Sequence, residues 1–326
     1  MIKIKEIGFI LVIFFIVLNA ALSQDFPYSQ FYANPLYLNP ALAGTEYCPR
    51  ITTNYRNQWP SLPGTFVAYS ASFDRFSEFF NGGLGLQINY DKQGEAAINN
   101  LLVSGMYAYR LTISRSVEAN LALQAGYGQR SADWNELLLP SGLTGGQSPA
   151  PEEFNGNVNY VDFGGGFLMG IGEKYFLGGA VHHVTQPNIG FFENQEHILG
   201  MKITIHAGAN FGQEDRYRRS YGSSLEVSPN ILYQQQHGYK HLNAGSYFSL
   251  SPFVLGLWFR HAFENSDAVI ILLGLQQDQY RFGYSYDYTV SQLSNAAGGA
   301  HEVSFSYIFP CDKKSKRPRA IKCPSF

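Results

Sequence analysis

The sequence predicts an all-β protein, a transmembrane antiparallel β-barrel of about fourteen strands. Apolar and polar residues alternate with a period of two in run after run, which gives each strand one apolar face. Many runs exceed the length of a soluble strand, about five or six residues, and reach the roughly 9–11 residues that a bilayer crossing needs. Composition agrees: 45% of the 326 residues are hydrophobic and 15% aromatic, yet only 15% are charged. Soluble domains carry about a quarter charged residues.

The first element is not a strand. Residues 1–23 combine Lys3 and Lys5, an apolar run from Ile7 to Leu18 and the small-x-small triplet Ala21-Leu22-Ser23, the shape of a cleaved secretory signal peptide. The run is short for a spanning helix, which needs about 20 apolar residues. No cysteine follows the cut to carry a lipid anchor, and Gln24 becomes the first residue of the exported chain. The net charge of -2 offers no basic field to gather nucleic acid, and no nucleic-acid motif is present.

Alternating runs follow near residues 48–58, 64–74, 83–92, 99–113, 116–130, 158–171, 174–185, 198–211, 222–235, 239–250, 252–264, 267–277, 279–290 and 299–309. In the run at 279–290, Phe282, Tyr284, Tyr286, Tyr288 and Val290 share one face and Gly283, Ser285, Asp287 and Thr289 the other. The aromatic face is expected to meet lipid, since no second sheet is available to cover so many such faces. Tyr286→Arg is therefore expected to impair assembly, and the inward Asp287→Asn to be milder. "AVIILLGL" at 268–275 departs from the pattern, being apolar on both faces. Closing the sheet removes the edge strands it would otherwise expose.

Residues 133–157, and 211–222 with Arg216, Arg218 and Arg219, read as long connections, both expected outside the cell. Residues 185–197 read as a third, with a helical turn. Residues 24–310 form one barrel domain, and 311–326 a basic periplasmic tail.

Glycine clusters at 82–85 and 164–166 lie inside strands, not before a helix N-terminus, so they point to kinks or close packing and not to phosphate binding. The histidines 182, 183, 197, 206, 237, 241, 261 and 301 lack zinc-site spacing, and neighbours on a strand such as His182 and His183 should face opposite ways. No catalytic, cofactor or metal motif emerges. Arg260, Arg281, Asp287 and Glu302 fall on inward faces. They either line a lumen that a peptide enters or pair with one another inside a plugged barrel. "NPLYLNPALAG" is too broken by Asn-Pro for a strand or helix. Its Asn34, Pro35, Leu36, Tyr37, Asn39 and Pro40 form either a periplasmic docking segment or a lumenal plug. Of the three cysteines, Cys48 and Cys311 should abut where the first and last strands close the barrel, making them a candidate disulfide. Cys311–Cys323, Cys48–Cys323 and three free thiols are the alternatives.

"QFYANPLYLNPALAG" (30–44), "YRNQWPSLPGTFVAYSASFD" (55–74), "GGLGLQINYDKQG" (82–94), "VDFGGGFLMG" (161–170), "HHVTQPN" (182–188), "GYSYDYTVSQL" (283–293), "HEVSFSY" (301–307) and "CPSF" (323–326) together resemble, in order, the PorP/SprF family of outer-membrane proteins. The resemblance implies a non-enzymatic component of type IX secretion and gliding that supports export or surface anchoring of a secreted substrate. Its implied partners are secretion components or a substrate's C-terminal domain, together with outer-membrane lipid. A small-molecule channel or porin on the same fold, and a soluble secreted β protein, are the competing readings.

Overall fold

The computed structural model describes residues 24–62, 64–94, 98–134, 154–172, 174–192, 196–212, 225–263, 265–290 and 298–311. The expected signal peptide, Cys323 and the tail beyond Cys311 lie outside the described residues.

Fourteen strands make up the described sheet. They are β1 (Arg50–Gln58), β2 (Phe66–Ser77), β3 (Gly82–Gln93), β4 (Ile98–Ser114), β5 (Val117–Ala132), β6 (Asn157–Ile171) and β7 (Tyr175–His182). β8 (Lys202–Ala209) is carried on past Asn210 by Phe211–Gly212, and both pieces pair with β9 (Glu226–Gln236). β10 (Tyr239–Leu250), β11 (Phe253–Ala262), β12 (Asn265–Gln277), β13 (Tyr280–Thr289) and β14 (Ala300–Ile308) complete the circuit. Every strand pairs antiparallel with the next, and β14 returns to β1 with Ile308 opposite Arg50 and Ala300 opposite Gln58. The sheet is therefore a closed barrel with no free lateral edge. All fourteen expected runs are strands. The largest boundary differences are at β8, which begins at Lys202 and not 198, and at β9, which begins at Glu226 and not 222.

Burial follows the alternation. On β13, Arg281, Gly283, Ser285 and Asp287 are buried, while Phe282, Tyr284 and Tyr288 are exposed on the outer surface. The strand that is apolar on both sides, β12, buries Ile270 and Leu272 inside and exposes Ile271 and Leu273 outside. Its inner half packs into a hydrophobic core with Phe31, Leu36 and Trp258. This explains its departure from the pattern: at that position the lumen is filled with apolar side chains.

Because each strand reverses the chain, connections alternate between the two ends. One end holds the start of β1, the end of β14 and tight turns such as 115–116, 251–252 and 278–279. The other holds the long connections 133–156, 183–201 and 290–299. By the outer-membrane rule the first end is periplasmic. The chain leaves β8 at that end too. The expectation that 133–157 and 211–222 share one side is therefore overturned by strand parity. Most of both segments, 135–153 and 213–224, lies outside the described residues. The helical turn expected in 185–197 is absent among the described residues, where an isolated bridge joins Asn188 to Ile198.

Candidate functional site

The lumen is occupied by the chain's own N-terminal segment. Residues 24–47 descend inside the barrel from the end of the long connections to the periplasmic end, where Cys48 leads into β1. The two Asn-Pro pairs shape this segment. The residue before a proline is driven out of the helical region, and proline is well suited to the first helical turn. Asn34 precedes a one-turn α-helix, Pro35–Leu38, and Asn39 (φ −160°) precedes a 3₁₀ turn, Pro40–Leu42. The segment is not too broken for helix, as the motif suggests; each proline opens a single turn.

Both asparagines reach the wall. The Asn34 side-chain oxygen accepts from Gln87 Nε2 (3.1 Å) and Ser70 Oγ (3.3 Å). Asn39 Nδ2 donates to the Phe167 carbonyl (2.9 Å) and lies 3.1 Å from His206 Nε2. This contact explains the interior glycines: a Cβ at Gly166 would collide with the Asn39 side chain, and one at Gly178 with the His206 ring that Asn39 meets. Asn34, Pro35, Leu36, Asn39 and Pro40 are buried, with Leu36 at 0% exposure. Tyr37 is partly buried and donates from its hydroxyl to the Phe26 carbonyl (2.6 Å).

Two residues in from the long-connection ends of β1, β11, β13 and β14, four charges surround Ser29. Arg56 meets Asp287 at 2.9 Å and Glu302 at 3.3 Å, and Arg260 meets Asp287 at 3.0 Å. Ser29 donates its backbone N–H to Glu302 (2.7 Å) and its hydroxyl to Asp287, while Gln30 Nε2 donates to the Glu302 carbonyl (2.8 Å). Two cations and two anions balance, so burial is tolerable. Arg260, Asp287 and Glu302 thus meet, whereas Arg281 lies near the periplasmic end and pairs with Glu46 at 2.9 Å. Asp287 faces inward, and its Oδ2 accepts from Arg56, Arg260 and Ser29, so Asp287→Asn should cost more than its inward direction alone suggests. Near Arg281, Arg50 holds Asp74 at 2.8 Å, and Asp74 accepts from the Gly44 N–H at 2.8 Å. Cys48 and Cys311 form a disulfide there, with Cα atoms 5.7 Å apart.

At the opposite mouth, Asp25 lies 2.9 Å from His183 and 3.3 Å from Lys202, and its N–H donates to Gln236 Oε1 (2.9 Å). Asp162 approaches the other His183 nitrogen at 3.1 Å without hydrogen-bond alignment. His183, one residue past β7, has φ 56°, so both it and His182 are buried inward, contrary to the expected opposite faces. Burial alone would raise the Asp25 carboxyl, but His183 and Lys202 outweigh it and hold Asp25 well below the usual carboxylate range. Burial alone would lower His183, but the Asp25 and Asp162 carboxylates raise it to about 10. Among the described residues no group of three His, Cys, Asp or Glu is arranged to hold a metal.

Sequence reasoning missed Ser29, Arg56, Asp25 and His183. For Arg56 a signal existed: Arg50, Thr52, Asn54 and Arg56 alternate with Ile51 and Tyr55 on β1.

These features define a class: an outer-membrane type of β-barrel whose lumen is filled by its own N-terminal segment. The chain belongs to the PorP/SprF family; the family described as type IX secretion system membrane protein PorP/SprF matches residues 20–307. No curated protein matches it. Among solved structures it is similar to the toluene transporter TbuX of Ralstonia pickettii (10% identity, 84% of this chain and 93% of that chain, TM-score 0.48). A similar likeness holds to the CymD monoaromatic hydrocarbon channel (11%, 85% and 93%, TM-score 0.44). A Pseudomonas aeruginosa FadL homologue is a third (13%, 83% and 93%, TM-score 0.38).

Proposed function

We propose that this protein is a non-enzymatic outer-membrane component of the type IX secretion and gliding machinery. In this reading it supports export or surface anchoring of a secreted substrate and does not conduct small molecules. Family membership supports the machinery. The observation that favours an anchor over a porin is the filled lumen: residues 24–47 pack against the wall from one mouth to the other, with Leu36, Asn39 and Glu302 all fully buried. A porin interior is polar and water-filled.

The test combines conductance with capture. The purified protein in a planar bilayer should show no steady ionic conductance. Affinity purification from outer membranes should bring down a secreted protein's C-terminal domain or periplasmic secretion components. Steady conductance without such a partner would select the porin. Orientation is tested by epitope tags: one at Gly145 should label on intact cells, and one at Arg218 only after permeabilisation. The reverse labelling would invert the barrel.

A further inference from the structure

The outside of the barrel carries a hollow of about 1110 Å3 where β4 to β8 pass the plug. Its floor includes Gly105, Ala125 and Gly165, and outward-facing Leu123, Phe163 and Ile205 stand around it. The plug accounts for the shape. Gly166 lets the inner face of the wall close onto Asn39, and Gly178 onto the His206 ring beside it. Their outward neighbours Gly165 and Gly179 carry no side chain to fill the space left behind. Among the described residues, no Asp, Glu, Lys, Arg or His lines the hollow. Its volume is at or above the roughly 300–1,000 Å3 of typical small-molecule sites.

We propose that this hollow binds the hydrocarbon chain of an outer-leaflet membrane lipid. The floor lies at mid-height of β4, β5 and β6, within the apolar outer band that continues through Leu121 and Val161, so the hollow opens into acyl chains. It extends towards Val184 and Ile203, which stand at the long-connection ends of β7 and β8 and hence on the outer-leaflet side. A polypeptide arriving at this depth would have to close all its backbone hydrogen bonds within itself. The described residues of the hollow offer no charged group to orient such a partner, whereas an acyl chain needs only apolar contact.

Full-length protein extracted from outer membranes in mild detergent, examined by native mass spectrometry, tests this. The wild type should retain a bound acyl lipid. Gly105→Phe with Ala125→Phe should fill the hollow from its open side, since a Cβ added at Gly105 meets only Leu86 Cδ2 at 3.8 Å. Bound lipid should then fall by about tenfold or more, while heat-modifiable mobility stays unchanged. Leu273→Phe, on β12 four strands beyond the edge of the hollow at β8, should leave lipid retention unchanged. A photo-crosslinker replacing Leu123 in the otherwise native chain provides a reading even where the double variant misfolds: it should acquire a lipid-mass adduct. A protein adduct at Leu123, or wild type carrying no more lipid than the filled variant, would overturn the proposal.

Discussion

The inner wall of this barrel has two unlike regions that interleave at β12, where Ile270 lies directly across from Asp287 of β13. One is ionic: Arg56 on β1, Arg260 on β11, Asp287 on β13 and Glu302 on β14 gather around Ser29. The other is apolar: Leu168 on β6, Phe176 on β7, Leu232 on β9 and Ile270 and Leu272 on β12 pack against Phe31, Tyr32, Leu36 and Leu42. A wet lumen would need neither apolar filling nor strict charge balance. The two regions together behave as a protein interior, where apolar groups are close-packed and charges persist only in pairs. The wall is core on the inside and membrane-facing on the outside.

The ionic region should break hardest. Arg56→Ala leaves Asp287 and Glu302 with Arg260 as the one neighbouring guanidinium, and removing a partner from a buried ion pair costs about 3–5 kcal/mol. Asp287→Asn breaks the same cluster from its acidic side and belongs in that range. Urea unfolding in detergent, followed by heat-modifiable mobility, gives the measurement. A loss under about 1 kcal/mol would mean that water reaches the cluster.

In the apolar region, adjacent residues of β12 give an internal control. Leu272 is 1% exposed and packs on the plug, while Leu273 is 57% exposed on the outer surface. Leu272→Ala should cost about 2–5 kcal/mol through its cavity. Leu273→Ala should cost well below that, because lipid refills the space. Equal losses would show that the plug is not seated against β12. On the outer surface a charge is needed to produce a comparable defect: Tyr286→Arg should cost about 2–4 kcal/mol if its side chain sits near the bilayer midplane. The expected ranking puts Asp287→Asn at least level with Tyr286→Arg, the reverse of what facing direction alone suggests.

That reversal marks where sequence stops being legible. A period-two pattern reports which way a side chain points, and the strands and their outer faces could be read from it. It does not report what fills the inside. Two of the partners of Glu302, Ser29 and Gln30, are more than 270 residues away in sequence, and only the closed barrel brings them together. The misplacement of 211–222 has a different origin. Counting runs places it after an even-numbered strand, at the end where β1 starts, whereas its length alone points to the opposite end. The inward turn of His183 could not be read at all, because a positive φ at a histidine leaves no trace in composition.

The smallest effect is expected at the mouth, where the same plug is held by a partly exposed ionic latch. His183 is raised to about 10 by its carboxylates, so its stabilising contribution is complete below its unfolded value of about 6.5 and is lost as pH rises through 10. Asp25 is held below its ordinary value, so its contribution is present above about pH 4 and is lost only in stronger acid. The latch is therefore strongest between about pH 4 and 6.5 and weakens towards 10. A change of about 1–2 kcal/mol corresponds to roughly five- to thirty-fold in local opening. Limited proteolysis at the N-terminal residues should therefore accelerate between pH 7 and 10, after correction for protease activity. Asp25→Asn removes the ion pairs to both His183 and Lys202. Its cleavage should be fast already at pH 6 and nearly flat with pH, while the Arg56 and Leu272 regions stay protected. A wild-type rate that does not change from pH 6 to 10 would mean that the apolar contacts alone seat the plug.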